Sequence, residues 1–164
     1  MTPTTYKPDF MARPAAESAI RRLQATYTCR LDSADFSGLA ETLRYADLNV
    51  MGKIYSGYNA ILGFVKDGRQ LYMDGTPRNS HTVANVRIEV DASGTKATSS
   101  SYYTLHRQVD GLPPQPICTG NYFDEFELPA SEWTFTRRAL TLTFAGDLQN
   151  HDKGMNRDFV AEHV

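Results

Sequence analysis

Apolar side chains at Ala16, Ile20, Leu23, Tyr27 and Leu31 recur at spacings of four and three, the stripe of a helix that buries one face. Pro14 suits a first turn, where its missing N–H costs nothing, and Glu17 favours the positive end of the helix dipole. Asp32-Ser33 can cap a second, short helix through Phe36, Leu39 and Leu43, with Asp35 in its first turn. Leu48 and Val50, between Ala46 and Gly52, read as a strand. The chain breaks at Tyr55-Ser56-Gly57, and Tyr58, Ile61, Leu62 and Val65 mark a third helix. Asp74-Gly75-Thr76-Pro77 is turn chemistry.

The period then changes. Val86, Ile88 and Val90 alternate at the end of a strand over 80–90, closed by a turn at Asp91-Ala92-Ser93-Gly94. A Thr/Ser/Tyr-rich strand over 96–107 follows. Gly111 and Pro113-Pro114 form a loop, and two further strands occupy 116–127 and 133–144, joined around Pro129. Helices first and consecutive long strands afterwards predict an α+β domain over 15–148, an antiparallel or mixed sheet with helices on one side. Residues 1–14 read as a flexible arm and 149–164 as a polar tail.

A chain of 164 residues suffices for one domain with a real core. Its 41% hydrophobic and 22% charged residues are ordinary for a globular protein. Seventeen basic against nineteen acidic residues give a net charge of −2, with no basic run longer than Arg21-Arg22 or Arg137-Arg138. Nucleic acid and anionic membranes are therefore poor partners. No apolar run approaches a membrane span or a signal peptide, and two cysteines indicate no disulfide framework. A cytoplasmic location is the expectation.

Nucleophile elbows, phosphate-cradling loops, Cys-x-x-Cys and His-Glu-x-x-His are all missing, which leaves acid–base chemistry or simple binding. Of four histidines, His151 and His163 lie in the polar tail. With the turn centred near residue 93, the position opposite His81 is about 105, so His106 becomes its neighbour across the ladder. The pair either shares a site or sits as two unrelated polar residues on a sheet. Asp32 closes the first helix, where it opposes the dipole; it either caps the second helix or serves a pocket. Tyr27 lies on the apolar helix face, Tyr102 and Tyr103 must point to opposite faces of a strand, and Asn85 is a pocket group or a bulge residue.

Four stretches resemble the SnoaL-like branch of the nuclear-transport-factor-2-like superfamily. They are Ala19-Ile20-Arg21 through Tyr27 to Leu31-Asp32, then Tyr55-Ser56-Gly57-Tyr58-Asn59-Ala60-Ile61, then the run from Thr76 through His81 to Val86. The fourth is Gly120-Asn121-Tyr122-Phe123-Asp124-Glu125-Phe126 with Trp133 to Arg138, and together they span about residues 15–148. The resemblance implies a cone-shaped α+β barrel whose first helices close a pocket. In similar lyases a histidine at the His81 position abstracts a proton and an aspartate at the Asp32 position orients it. Tyr27 matches the pocket tyrosine of bile-acid dehydratases, and His106 the second pocket histidine of scytalone dehydratases. The resemblance further implies no cofactor and assembly into a homodimer or homotrimer. Two features are missing: the arginine of hexachlorocyclohexane dehydrochlorinases near Glu127-Leu128, and the aspartate of the bile-acid enzymes near Leu105-His106.

The expectation is thus a dehydratase or isomerase for a cyclic, aromatic, polyketide or steroid-like molecule. His81, Asp32, Tyr27 and His106 are its catalytic candidates, and Asn85, Tyr102 and Tyr55 its substrate-binding candidates. The alternatives are a non-catalytic β-type subunit of a ring-hydroxylating dioxygenase, a ligand-binding module, or a metal site built from His81, His106 and Asp32.

Overall fold

The computed structural model describes residues 12–108, 110–146 and 148. Its elements, in chain order, are α1 (Ala12–Asp32), α2 (Phe36–Thr42), β1 (Asp47–Val50), β2 (Lys53–Ser56), α3 (Gly57–Gly68), β3 (Asn79–Val90), β4 (Lys96–Arg107), β5 (Gln115–Glu127) and β6 (Thr134–Ala145). α1 begins at Ala12, within the span expected to be an arm; residues 1–11 and the expected tail over 149–164 lie outside the described residues. The short β2 replaces what the glycine at 57 suggested was a mere break. It pairs with β1 through Leu48↔Tyr55.

One mixed sheet runs in the order β2-β1-β6-β5-β4-β3. β1 lies parallel to β6, and every other neighbouring pair is antiparallel. The α+β expectation holds, with β1 as the parallel insertion that makes the sheet mixed.

Strict alternation makes one face of the sheet the core. Along β4 the buried residues are Ala97, Ser99, Ser101, Tyr103, Leu105 and Arg107, while the intervening positions are more exposed. α1 covers that face with Ala16, Ile20, Gln24, Tyr27, Thr28 and Leu31. The apolar stripe anticipated Leu23 on the buried face, but Leu23 is only partly buried and the polar Gln24 takes an inward place.

Bulges redirect the long strands. Register shifts fall at Ala84/Arg87, Leu105/His106, Thr119/Gly120 and Glu125/Phe126, and each extra residue bends its strand and increases its twist. Asn85 is the bulge residue of β3, exposed and at φ 53°, a left-handed conformation that Asn tolerates better than most residues. Among the described residues no helix is long and apolar enough to cross a membrane.

The turn before β3 is pinned by Asp74, whose carboxylate accepts from the Thr76 backbone N–H at 2.9 Å, the Thr76 hydroxyl at 2.8 Å and Arg78 Nε at 3.0 Å. The Thr76 bonds first, then the one from Arg78, hold the Asp74 carboxyl down to about 2. Because the folded value lies below the ordinary one, the turn's stabilisation is complete above that ordinary value and is lost as pH falls through about 2. An NMR titration should therefore find Asp74 still ionised at pH 3.

Candidate active site

Asp32 and His81 meet because α1 and β3 run antiparallel over the same length. Arg21 Nη2 donates to the Val86 carbonyl at 3.1 Å, at the β3 bulge. From Arg21 to Asp32 the helix rises about 16 Å, and from Val86 back to His81 the strand spans about 16 Å. The matched lengths carry Asp32 to His81. There one carboxylate oxygen accepts the His81 backbone N–H at 2.8 Å and the other lies 2.5 Å from His81 Nδ1. The His81 side chain is 5% exposed and that of Asp32 is 23% exposed.

Capping of α2 falls to another residue. Asp35 accepts the Gly38 N–H at 2.9 Å and is the N-cap. That leaves both oxygens of Asp32 for His81.

His81 lines an interior cavity between α1, α3 and the sheet. Tyr27, Tyr103 and Tyr122 give it hydroxyl-bearing rings, Arg69 a cation, and Leu31, Val65, Leu105, Leu140 and Leu142 an apolar surface. Cys118, a buried cysteine, is also in the wall. The free volume is about 50 Å³, short of the roughly 300–1,000 Å³ usual for small-molecule sites. Phe64 and Leu148 are among the side chains that close it down.

The tyrosines form a connected group. Tyr103 stacks on Tyr122 at 4.6 Å between centroids, and Tyr27 meets Tyr122 edge-on at 6.1 Å. Tyr103 donates to the Thr141 carbonyl at 3.2 Å. Burial pushes all three phenols above their ordinary range; for Tyr27 the nearby Arg138 and Arg69 pull the other way.

Other candidates fall elsewhere. The pairing His81↔Leu105 matches the hairpin arithmetic, but His106 is opposite Ser80. Side chains alternate, so His106 faces the outer side of the sheet, in a groove with Ser80, Arg78 and Asp110, and does not join His81. The metal trio His81, His106 and Asp32 therefore does not converge. Tyr102 is 58% exposed on the outer face, and Asn85 occupies the bulge. Tyr55 is stacked on Phe64 at 4.2 Å, one layer behind the cavity wall. Among the described residues no group of three or more His, Cys, Asp or Glu side chains could hold a metal ion.

Two elements escaped the sequence reading. Arg69 gave no signal because it follows α3 in a polar loop. Arg138 and Asp124 form a fully buried bidentate pair, with Nε to Oδ1 at 2.8 Å and Nη2 to Oδ2 at 2.9 Å. Gln24 Nε2 donates to Asp124 Oδ2 at 3.0 Å and to Ser99 Oγ at 2.7 Å. The register Asp124↔Arg138 and the inward parity of both strands were the signals that could have found it.

Comparison with known proteins agrees with this architecture. No curated protein matches the sequence. Among solved structures, a nuclear-transport-factor-2-like protein with a cystatin-like fold from Novosphingobium aromaticivorans superimposes with a TM-score of 0.68 at 19% identity, over 83% of this chain and 87% of that one. A scytalone-dehydratase-like protein from the same organism gives 0.66 at 23% identity, over 84% and 90%. A hexachlorocyclohexane dehydrochlorinase, LinA-type3 from Novosphingobium barchaimii, gives 0.67 at 22% identity, over 89% and 96%. At these identities the likeness establishes the fold. The model of the SnoaL-like domain matches residues 12–139, and the chain belongs to that family.

Proposed function

We propose that the protein is a cofactor-independent lyase, in its favoured form a dehydratase, or an isomerase acting on a cyclic small molecule of aromatic, polyketide or steroid-like type. The observation that carries this reading is the Asp32 carboxylate holding both the backbone N–H and Nδ1 of His81 at the wall of an apolar cavity. A proton on Nδ1, donated to Asp32, leaves Nε2 as the basic nitrogen. His81 then takes a proton from a carbon beside a substrate carbonyl, and the C–H electron pair moves into the ring as a C=C bond forms. In a dehydration the hydroxyl leaves as water with the imidazolium proton, passed directly or relayed through Tyr27, so that His81 ends neutral and Tyr27 keeps its phenol proton. In an isomerisation the proton returns to another carbon. Acid–base catalysis of this kind supplies about 10²–10⁴ in rate, and a mostly apolar lining strengthens the polar contacts that supply the remainder. His106, Tyr102, Asn85 and Tyr55 have no part in it.

A non-catalytic oxygenase subunit or a binding module would leave the Asp32–His81 pair without a task. The test is a turnover screen of hydroxylated cyclic ketones and related alcohols, following elimination or isomerisation. Activity lost in His81→Gln supports the reading; binding without turnover across the whole panel removes it. Because none of the proposed steps involves a metal, protein treated with a chelator should keep its full rate.

Self-association belongs to the same reading. Tyr102, Phe123 and Phe144 are 58%, 47% and 71% exposed, and all lie on the outer face of the sheet. Phe144 reaches that face because the bulge at Thr119/Gly120 shifts its parity, placing it opposite Thr119. Aromatic side chains clustered outside a core mark an interface. Light scattering at tens of micromolar should give the mass of a dimer or trimer.

A further inference from the structure

We propose that Arg138 is a positioning residue: its guanidinium, fixed by Asp124, holds a positive charge against the faces of Tyr27 and Tyr122 and strengthens Tyr27 as a hydrogen-bond donor to a substrate oxygen. The inference rests on the reading of the cavity as the reaction site and adds to it the group that sets the strength of its donor.

The geometry has three parts. The guanidinium carbon lies 4.1 Å from the Tyr27 ring centroid, 4.2 Å from that of Tyr122 and 4.9 Å from that of Phe135. All three distances are within cation–π range. Second, Asp124 occupies only Nε and Nη2, and Nη1 is buried with no hydrogen-bond partner among the described residues. Ring faces, not oxygen atoms, therefore meet that side of the cation. Third, the pair cannot drift. Asp124 also accepts from Gln24 on α1, the helix that carries Tyr27 three residues further on.

Burying two charges is an expensive way to join β5 to β6, since well-packed apolar residues of similar volume often do as well. A cation fixed on a phenol face has a use that an apolar pair lacks. It draws electron density from the ring and favours the partial negative charge that a donating hydroxyl develops. Such a charge needs no reorganisation when the substrate oxygen becomes more negative in the transition state. The charged groups that act on Tyr27 are Arg138 on β6, Asp124 on β5, Arg69 after α3 and Asp32 on α1. Arg138 opposes burial most strongly, ahead of Arg69 and ahead of the contrary effect of Asp124. Tyr103, also in the cavity wall, has no such contact with Arg138.

The test uses trifluorotyrosine, whose phenol ionises well below that of tyrosine, incorporated at position 27 or at position 103 of the full chain and titrated by ¹⁹F NMR. In the otherwise native protein the probe at 27 should ionise at least tenfold more readily than at 103, although Tyr27 is the more buried at 3% against 8% exposed. In Asp124→Asn/Arg138→Gln, which removes both charges and keeps hydrogen-bonding groups, the ionisation constant at 27 should fall about tenfold, and that at 103 should stay within twofold. Circular dichroism checks the fold of that variant. An unchanged constant at 27 in a folded double variant would make the pair purely structural and overturn the proposal. So would a native probe at 27 no more acidic than at 103, a comparison that stands even if the double variant does not fold. Neither measurement needs turnover, so a failure here is distinguishable from a failure of the lyase reading.

Discussion

Asp32→Asn should lower turnover by roughly 10³–10⁴-fold while leaving the fold in place. Both oxygens of Asp32 accept, one from the His81 backbone N–H and one from Nδ1. Asparagine has a single acceptor oxygen. Keeping it on the backbone N–H turns the amide NH₂ toward the imidazole, so Nδ1 must become the acceptor and the proton moves to Nε2. The nitrogen left for the substrate is then no longer a base. α2 keeps its cap on Asp35, so unravelling of that helix cannot account for the loss of rate. His81→Gln should cost at least as much, and the double variant little more, because residues that act as a unit are not additive. Full activity in Asp32→Asn, or losses that simply multiply, would dissolve the pair as a catalytic unit.

Gly120→Ala should destabilise the protein by about 3 kcal/mol, read as a drop in Tm of about 6–12 °C. A Cβ at this position would lie 1.9 Å from the Thr141 carbonyl oxygen and 2.6 Å from the Tyr103 hydroxyl. The first is backbone of the adjoining strand and cannot step aside without opening the β5–β6 bulge. The second is the end of a ring stacked on Tyr122 and bonded to that same carbonyl. What survives should therefore also have a displaced Tyr103, visible as altered near-ultraviolet dichroism. An alanine variant with the wild-type Tm would mean that the bulge relaxes freely.

The local elements were legible because their causes are local. The i, i+3, i+4 stripe of α1 and the alternation of Val86, Ile88 and Val90 follow from one chain meeting one apolar layer, and β4 falls over the residues the pattern marked. The hairpin arithmetic also placed position 105 opposite His81. It failed for His106 because alternation is unforgiving: one residue along a strand changes the face, and His106 lies outside the cavity. Phe144 shows the same effect in reverse. A bulge that no spacing announces moves it to the outer face.

Asp32 marks the boundary more sharply. Its residue type and its place at a helix end permitted a cap or a pocket carboxylate, and nothing within α1 chooses between them. The choice was made by the crossing of α1 over β3 and by Asp35 taking the cap, both facts of packing between segments far apart in sequence. Arg138, Asp124 and Gln24 were less visible still. Each reads as an ordinary polar residue, and only the registers of β4, β5 and β6 under α1 bring them together in the core. The sequence by itself thus determined the elements, the fold class and the chemistry within reach, because periodicity and residue type are properties of short segments. Tertiary structure alone decided which carboxylate meets which imidazole and which cation lies under which ring, because those depend on side-chain faces and distances that emerge only when the segments pack.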